Sequence, residues 1–419
     1  MLKIVRGLLL RLEVAMRILA IRCSYAIVLR RIRNRSADEK IRVLFLVNEI
    51  SKWKAQSLYD LMMESGAYEP IIGITLADID DRLSDAAQRE KMDATRKFFA
   101  AKGMKTVDMF DCDLKTVRAI DELRADVVFY QQPYVFFTKH LPFPVSFKAL
   151  TCYIPYYVTN YGTRSFDYEY DFHKEIWRYF ILSEGFARAY RHGAWFFNYA
   201  GKLLGLGHTG LDYYHLHKDV QTDQQMVIYA PHWSFGHPRN VNNENYSTFL
   251  WTGKAILAYA QKHPEIKWIF RPHPSLAFSL RQSGAWTEQE IADYWAAWQK
   301  AGTLSVGGDY QQLILRSRAM ITDCGSFLIE YFVTGKPLVH LISKDVKVRP
   351  ISVSKEYFDT FYQVHSEEDL PRVLDAVIAR AEDPRKEERL SVLRRSGLLD
   401  CYAAKNIFDY LNKELRRKG

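Results

Sequence analysis

Residues 320–340 of the chain read MITDCGSFLIEYFVTGKPLVH, and this stretch decides the fold. A short apolar run ends at Asp323, a turn of small residues follows, and an apolar segment of helical length begins at Ser326. Ser326 is a favourable N-cap, and Gly335 with a proline shortly after it is a typical helix stop. Residues 338–341 are the next predicted strand. The pattern predicts a βαβ unit whose first loop meets a helix N-terminus, which is an anion site.

The side chains around this turn indicate a ligand. Glu330 lies four residues after Ser326, one helical turn along the same face. A phosphate at Gly325 and Ser326, with a hydroxyl-rich group beside Glu330, is the arrangement that a nucleotide-linked donor needs. The alternative is that Ser326 only caps the helix and Glu330 only faces solvent, and this stretch alone favours neither.

Composition indicates a folded protein of two domains. The chain has 419 residues, of which 48% are hydrophobic and 14% aromatic, enough for two substantial cores. Its five cysteines are odd in number and show no CxxC spacing, which fits a reducing compartment and argues against structural zinc. Neither a Walker A nor a GxGxxG pattern occurs, so P-loop and dinucleotide-binding interpretations lose their usual support.

The net charge of +9 is concentrated at the N-terminus. Nine Lys and Arg residues against one Glu give residues 1–35 a charge of 9 − 1 = +8, which leaves the remainder close to neutral. This asymmetry disfavours a nucleic-acid surface. Arginines interrupt the apolar runs before they are long enough to span a bilayer. Residues 1–38 therefore predict a basic amphipathic helix on an anionic membrane surface, and the alternative is a basic helix packed on a domain.

Strands alternate with helices along the rest of the chain, which predicts an α/β fold of two Rossmann-like domains with parallel sheets. We place the first domain at residues 39–217 and the second at 218–385, followed by a helical tail at 386–419. In the second domain, candidate strands lie at 227–230, 266–270, 303–306, 319–322 and 338–341, and candidate helices at 246–262, 288–300, 310–316, 326–334 and 367–380.

Three of these strands end on polar loops, which carry His232, the RPHP motif at residues 271–274, and Asp323. Since the carboxyl ends of parallel strands meet at one edge of a sheet, we expect a ligand there. Two prolines stiffen the loop that holds Arg271 and His273, and this pair can stabilise charge on a diphosphate leaving group. We nominate His232 as general base or phosphate contact, and Asp323 as the group that orients His273 or its loop. Purely structural hydrogen bonds are the alternative for each.

A set of short motifs is spread along the chain: LVNE at 46–49, SKW at 51–53, QSLY at 56–59, IYAP at 228–231, RPHP at 271–274, ITDCGS at 321–326, Glu330, and KP at 336–337. Together they resemble the CDP-glycerol glycerophosphotransferase family, the teichoic-acid and capsule polymerases and primases. The resemblance spans residues 40–385 and is denser in the second domain than in the first.

The resemblance implies the GT-B arrangement, two Rossmann-like domains facing a cleft, with acceptor binding in residues 39–217 and nucleotide-donor binding in 218–385. It implies peripheral attachment to the cytoplasmic face of the cell membrane, and neither a bound metal nor another cofactor. Members transfer a polyol phosphate from a CDP-activated donor to a hydroxyl of a lipid-linked or glycan acceptor and release CMP.

Residue by residue, the resemblance assigns a donor-phosphate contact to His273, the phosphate-binding serine at the helix start to Ser326, and a ribose contact to Glu330. The family's Trp-His-Gly-Thr motif, which carries its proposed base, is absent, and residues 151–157 stand in its place. The predicted site comprises His273 and His232 as catalytic residues, and Arg271, Asp323, Gly325, Ser326 and Glu330 as substrate-binding residues.

The sequence thus predicts a membrane-associated transferase that adds glycerol phosphate or ribitol phosphate to a glycan or lipid-linked acceptor in cell-surface polysaccharide synthesis. Two alternatives remain open. One is a GT-B glycosyltransferase with a nucleotide-sugar donor, and the other is a catalytically silent glycan-assembly subunit, since the family's usual base is missing.

Overall fold

The computed structural model describes residues 2–36, 38–77, 83–134, 137–158, 171–193, 202–235, 245–306, 310–346, 349–398 and 402–416. The chain forms two compact units. Unit 1 comprises residues 1–157, 164–212 and 402–419, and unit 2 comprises residues 158–163 and 213–401. The structure thus divides the chain at 212/213, where the sequence analysis placed the boundary at 217/218. It also assigns the last residues, from Tyr402, to unit 1.

Unit 1 is built on a parallel seven-stranded sheet of order β3-β2-β1-β6-β7-β8-β9, beside an antiparallel pair of β4 and β5. The elements from the N-terminus to the unit boundary are α1 (Leu2–Arg33), β1 (Ile41–Val47), α2 (Gln56–Glu64), β2 (Tyr68–Ile74), α3 (Asp85–Ala101), β3 (Thr106–Asp108), β4 (Phe110–Asp111), β5 (Thr116–Val117), β6 (Val127–Tyr130), α4 (Pro142–Ser146), β7 (Leu150–Tyr153), α5 (Asp171–Glu175), β8 (Arg178–Phe180), α6 (Glu184–Gly193), β9 (Leu203–Leu204) and α7 (Thr209–Leu216), with 3-10 helices at Ile50–Lys52, Ile120–Leu123 and Thr138–His140.

The central strands are mostly apolar and almost entirely buried because helices cover both faces of a parallel sheet. In β1 only Arg42 is exposed, and all four residues of β6 and of β7 are buried. This is why short uninterrupted apolar runs identify these strands in the sequence.

Helix α1 packs one face onto unit 1. Ile21, Tyr25, Val28 and Ile32 are buried in its core, so this part of the predicted membrane helix is also a structural element. Arg35 donates to both carboxylate oxygens of the buried Asp126, each at 2.6 Å. The side chains of residues 2–11 lie outside the described residues. No helix in the described part of the chain has the length and hydropathy that a bilayer crossing requires.

Unit 2 contains a six-stranded, all-parallel sheet of order β12-β11-β10-β13-β14-β15, which is 3-2-1-4-5-6 in order along the chain. The remaining elements are β10 (Met226–Ala230), α8 (Phe249–Lys262), β11 (Lys267–Phe270), α9 (Leu276–Gln282), α10 (Glu288–Ala301), β12 (Thr303–Leu304), α11 (Gln311–Arg316), β13 (Ala319–Thr322), α12 (Gly325–Phe332), β14 (Leu338–Leu341), α13 (Ser352–Phe358), β15 (Tyr362–Val364), α14 (Asp369–Val373), a π-helix (Leu374–Ala379), α15 (Lys386–Ser396) and, in unit 1, α16 (Ala403–Leu415).

The predicted fold class, an α/β protein of two Rossmann-like domains preceded by a helix, is confirmed. All five strands predicted in the second domain are present. The sixth strand, β15, has three residues, too few to show a pattern in the sequence. The tail predicted at 386–419 separates into α15, within unit 2, and α16, whose Ile407 and Leu411 are buried in the core of unit 1.

Helix α12 begins one residue earlier than predicted. Cys324 is its N-cap, without a side-chain capping bond, so the prediction that Ser326 caps the helix is wrong. The reason is local: the hydroxyl of Thr322 accepts the backbone N–H of Cys324 at 2.9 Å and closes the turn one position earlier. Gly335 ends this segment as predicted, with φ of +70°, a conformation that favours glycine.

Candidate nucleotide-binding site

The strand order of unit 2 reverses between β10 and β13, and an open α/β sheet binds its ligands at the carboxyl edge of such a switch point. Ala230 is opposite Thr322, and Tyr229 is opposite Phe270, so β10, β11 and β13 end at the same level. The three polar loops expected from the sequence therefore leave the sheet at this edge.

Asp323 holds two of the elements around the switch point. Its buried carboxylate accepts the backbone N–H of His232 at 2.5 Å, and the backbone N–H and hydroxyl of Thr248, at the start of α8, at 2.6 and 2.9 Å. Burial raises the pKa of Asp323 to about 6, although these hydrogen bonds act in the opposite direction. Of the roles considered for Asp323, the geometry supports that of a loop anchor, acting on the loop after β10.

His232 and His273 lie side by side on neighbouring strand ends, with ring centroids 5.4 Å apart. Trp233 lies beside them, its centroid 5.9 Å from that of His273. The backbone N–H of His273 donates to the carbonyl of Pro231 at 3.0 Å, which ties the two loops together. Burial, with His273 as a second cause, lowers the pKa of His232 well below its ordinary value. His232 therefore offers a neutral imidazole at the end of β10.

Arg271 is 8% exposed and is held by two neighbours. Its Nη1 donates to the hydroxyl of Ser305 at 2.8 Å, and its guanidinium carbon lies 4.8 Å from the centroid of the Tyr310 ring. A guanidinium stacked on an aromatic face is fixed in its plane, which suits recognition of a phosphate by two parallel hydrogen bonds.

Glu330 is 1% exposed, so it does not face solvent. Its carboxylate accepts the hydroxyls of Tyr310 and Tyr214, each at 2.9 Å. Arg271, Tyr310, Glu330 and Tyr214 thus form one chain of contacts. The hydroxyl groups of Tyr310 and Tyr214 are therefore both oriented by the buried carboxylate of Glu330.

The N-terminus of α12 begins directly after Asp323 at the same edge. Gly325 is its first residue and Ser326 its second, and the hydroxyl of Ser326 lies 3.1 Å from the thiol of Cys324. Burial raises the pKa of that thiol to about 11, so it stays protonated at neutral pH. The helix end therefore presents backbone amides and a hydroxyl, without a thiolate, to an anion.

Lys336, part of the KP motif, has a structural role in unit 2. Its ammonium group donates to the carbonyls of Ile314, Leu315 and Ser317, at the end of α11. Burial lowers the pKa of this lysine to about 8. It satisfies the last carbonyls of that helix, as basic residues at helix ends do.

Sequence reasoning missed four residues that shape this site: Tyr214, Thr248, Ser305 and Tyr310. Each is a single hydroxyl outside any motif, and its partner is distant in the sequence. Thr248, Ser305 and Tyr310 lie within predicted helices or strands, but nothing in those predictions marks them as site residues.

Residues 151–155, the first part of the segment that stands in place of the family's Trp-His-Gly-Thr motif, have a structural role in unit 1. Thr151, Cys152 and Tyr153 are buried residues of β7. Further along, the buried His208 has its Nε2 2.7 Å from the carbonyl of Pro155, and burial lowers its pKa to about 4. Within the described ranges, no three His, Cys, Asp or Glu side chains are grouped as ligands of a metal ion.

Two units with parallel sheets define an α/β protein of the GT-B fold class. Residues 213–348 match the model of the family CDP-Glycerol:Poly(glycerophosphate) glycerophosphotransferase. The matched region contains every predicted site residue. The resemblance inferred from the motifs is confirmed over this region of the chain. No curated protein matches the chain in a sequence search.

Solved structures share the fold at low sequence identity. The UDP-GlcNAc 2-epimerase from Neisseria meningitidis, bound to UDP-GlcNAc, is 13% identical, with a TM-score of 0.54 over 90% of this chain and 100% of that chain. The S. aureus MnaA–UDP structure is 13% identical, with a TM-score of 0.52 over 90% and 97%. The wall teichoic acid polymerase TagF, in a variant soaked with CDPG, is 13% identical, with a TM-score of 0.50 over 97% and 98%.

Proposed function

We propose that this chain transfers glycerol phosphate or ribitol phosphate from a CDP-activated donor to a hydroxyl of a glycan or lipid-linked acceptor, in teichoic-acid or capsule synthesis at the cytoplasmic face of the membrane. One observation carries the proposal. Arg271 and His273 follow β11 and the N-terminus of α12 follows β13, at the carboxyl edge of one parallel sheet, and all lie inside residues 213–348, which match the family model.

In the proposed reaction, the acceptor oxygen forms a bond to the phosphorus that bears the polyol. The phosphoanhydride P–O bond breaks and CMP leaves with its electron pair. The hydroxyl proton passes to a phosphate oxygen of the departing CMP or to water. Arg271, His273 and the amides and hydroxyl at Ser326 stabilise the charge that develops on CMP.

Glu330 acts in this scheme through the two tyrosine hydroxyls that it orients. Because its carboxylate already accepts two hydrogen bonds in a buried position, we propose that Tyr310 and Tyr214 form the wall beside the nucleoside. The ribose contact that the resemblance assigns to Glu330 then depends on room at the same carboxylate for a further donor.

We propose that the acceptor binds to unit 1 at the carboxyl edge of its own switch point, between β1 and β6. Lys52, which follows β1, donates to Gln132 at 2.8 Å and pairs with Glu49 at 3.2 Å. Tyr134 and Tyr156 join their hydroxyls at 2.8 Å under this lysine. Such a mixture of aromatic and polar groups suits a polyhydroxylated acceptor.

The outer face of α1 supports attachment to an anionic membrane. Leu12, Met16, Leu19 and Ile27 are 56%, 58%, 62% and 69% exposed, and at 100° per residue they lie on the side of the helix opposite its packed face. Four of the arginines in this segment pair within unit 1: Arg17 with Glu175, Arg31 and Arg35 with Asp126, and Arg33 with Glu414. These four arginines are therefore held by carboxylates of unit 1 and contribute less to attraction to anionic headgroups.

The experiment is transfer of label from CDP-glycerol, CDP-ribitol and nucleotide sugars to membrane acceptors, in the wild type and in His273→Ala and Ser326→Ala. Transfer of polyol phosphate that both variants reduce supports the proposal. Transfer of sugar alone favours the glycosyltransferase. If the protein binds nucleotide without turnover, and His273→Ala leaves that binding unchanged, the result favours the silent assembly subunit. This alternative is considered because the family's histidine motif is missing.

A further inference from the structure

The tautomer of His232 is fixed by its own loop. Nδ1 of this ring accepts the backbone N–H of Ser234 at 3.2 Å and lies 2.8 Å from the hydroxyl oxygen of the same serine. That hydroxyl oxygen also accepts the backbone N–H of Tyr246 at 3.2 Å. A ring nitrogen that accepts a backbone N–H carries no hydrogen, and in neutral imidazole the proton is then on Nε2.

His273 is held in the same way. Its Nδ1 accepts the backbone N–H of Ser275 at 3.1 Å, which again assigns the proton to Nε2. The two rings come from β10 and β11, adjacent strands of the sheet, and their centroids are 5.4 Å apart. Two Nε2–H donors therefore lie next to each other at the carboxyl edge of the sheet, where the proposed donor would place its phosphates.

We infer that His232 binds a phosphate of the nucleotide donor through its Nε2–H, as the partner of His273, and that it does not accept the proton of the acceptor hydroxyl. This inference rests on the proposed function and revises the role of general base considered for His232 from the sequence. A base needs a lone pair facing the substrate, but here the lone pair is at Nδ1 and is used by Ser234.

The electrostatics agree with the geometry. Protonation of His232 would occur at Nδ1, where it would break the contact with the N–H of Ser234, and burial of the ring disfavours the charged form. A neutral donor is also the better partner for a diphosphate that exchanges on every turnover, since it binds the anion without holding it by net charge. Ser234, 0% exposed, is a positioning residue in this arrangement, because it acts only through the imidazole.

The decisive comparison is between His232→Gln and His232→Ala in the full-length protein. Glutamine places an amide N–H at the same reach from the backbone as Nε2 and cannot take up a proton. We expect His232→Ala to weaken CDP-glycerol binding about ten- to hundredfold. We expect His232→Gln to stay within about fivefold of the wild type in affinity and in transfer rate. His263→Ala, which alters a histidine paired with Glu265 before β11, is the matched control and should change neither.

Equal and severe loss of transfer in His232→Gln and His232→Ala, with a wild type that transfers polyol phosphate, would overturn the inference and leave the proposed function standing. A wild type that neither binds nor uses CDP-glycerol would overturn both.

A second measurement is made on the wild type and uses a variant only to assign the signal of His232. Long-range ¹H–¹⁵N correlation spectra of the histidine-labelled wild type, assigned with His232→Gln, report which ring nitrogen bears the proton. An Nε2–H tautomer for His232 at neutral pH supports the inference, and an Nδ1–H tautomer or an imidazolium refutes it.

Discussion

The carboxylate of Asp323, after β13, accepts the backbone N–H of His232, after β10, at 2.5 Å. This contact spans the point where the strand order of unit 2 reverses, and it positions the loop that presents His232 and Trp233 beside His273. Asp323, which the sequence marks as a polar group at a strand end, thus acts on the backbone that follows a second strand.

This buried carboxylate predicts a pH dependence of stability. Burial raises the pKa of Asp323 to about 6, above roughly 4 in the unfolded chain. Between these values the folded state binds a proton that the unfolded state does not, so this contribution is present at low pH and is lost as pH rises through 6.

Asn at position 323 does not titrate. The free energy of unfolding of the wild type minus that of Asp323→Asn should therefore fall by about 2 kcal/mol between about pH 4.5 and pH 7.5. Chemical denaturation at the two pH values measures this. A difference that is constant or that grows with pH contradicts the prediction.

The buried Glu330 predicts a cost for removing its tyrosine partners. Tyr310→Phe and Tyr214→Phe should each lower the free energy of unfolding by about 1–2 kcal/mol, because each removes a hydrogen bond to a buried charge. Their effects should not be additive, since both act on one carboxylate. Tyr259→Phe, which removes an exposed bond to Asp375, is the control and should change stability by less than about 0.5 kcal/mol. Strict additivity would show that the two tyrosines do not share this network.

The stacked guanidinium predicts that lysine cannot replace arginine in the site. Arg271→Lys keeps the charge but loses the planar fork and its position over Tyr310. We expect CDP-glycerol affinity to fall at least about tenfold, as measured by calorimetry. Arg281→Lys, on the exposed surface of α9 and paired with Glu288, should bind as the wild type does. Equal affinities for both variants would remove Arg271 from the phosphate site.

Two isoleucines of α1 separate the structural role of this helix from the membrane role. Ile32 is 4% exposed and Ile27 is 69% exposed. Ile32→Ala should cost about 2–4 kcal/mol in the free energy of unfolding. Ile27→Gln, together with Gln at Leu12, Met16 and Leu19, should leave stability within about 1 kcal/mol and reduce binding to anionic vesicles.

Vesicle sedimentation at low and high salt measures that binding. Unchanged vesicle binding in the four-residue variant would mean that another surface attaches the protein to the membrane. Deleting the whole segment 1–35 is the less informative experiment, since it also removes the buried Ile21 and Ile32 from the core of unit 1.

Much of unit 2 follows from sequence alone, for a physical reason. Parallel strands buried on both faces require short apolar runs, and the residue after each run lies at the binding edge whatever the order of the strands. This is why His232, Arg271 and Asp323 were recognised without a structure. Gly335 was equally clear, because a positive φ at a helix end favours glycine.

The tertiary structure decided what each of these groups does. Glu330 accepts a hydrogen bond from Tyr214, which lies 116 residues earlier in the chain. Arg35 donates to Asp126, which lies 91 residues later. Helical spacing specifies which side chains share a face of a helix. Which other residues pack against that face depends on the tertiary structure. The tautomer of His232 likewise depends on the fold of its loop around Ser234 and Tyr246. The sequence by itself determined which chemical groups stand at the strand ends, and only the folded chain determined which donor faces which acceptor.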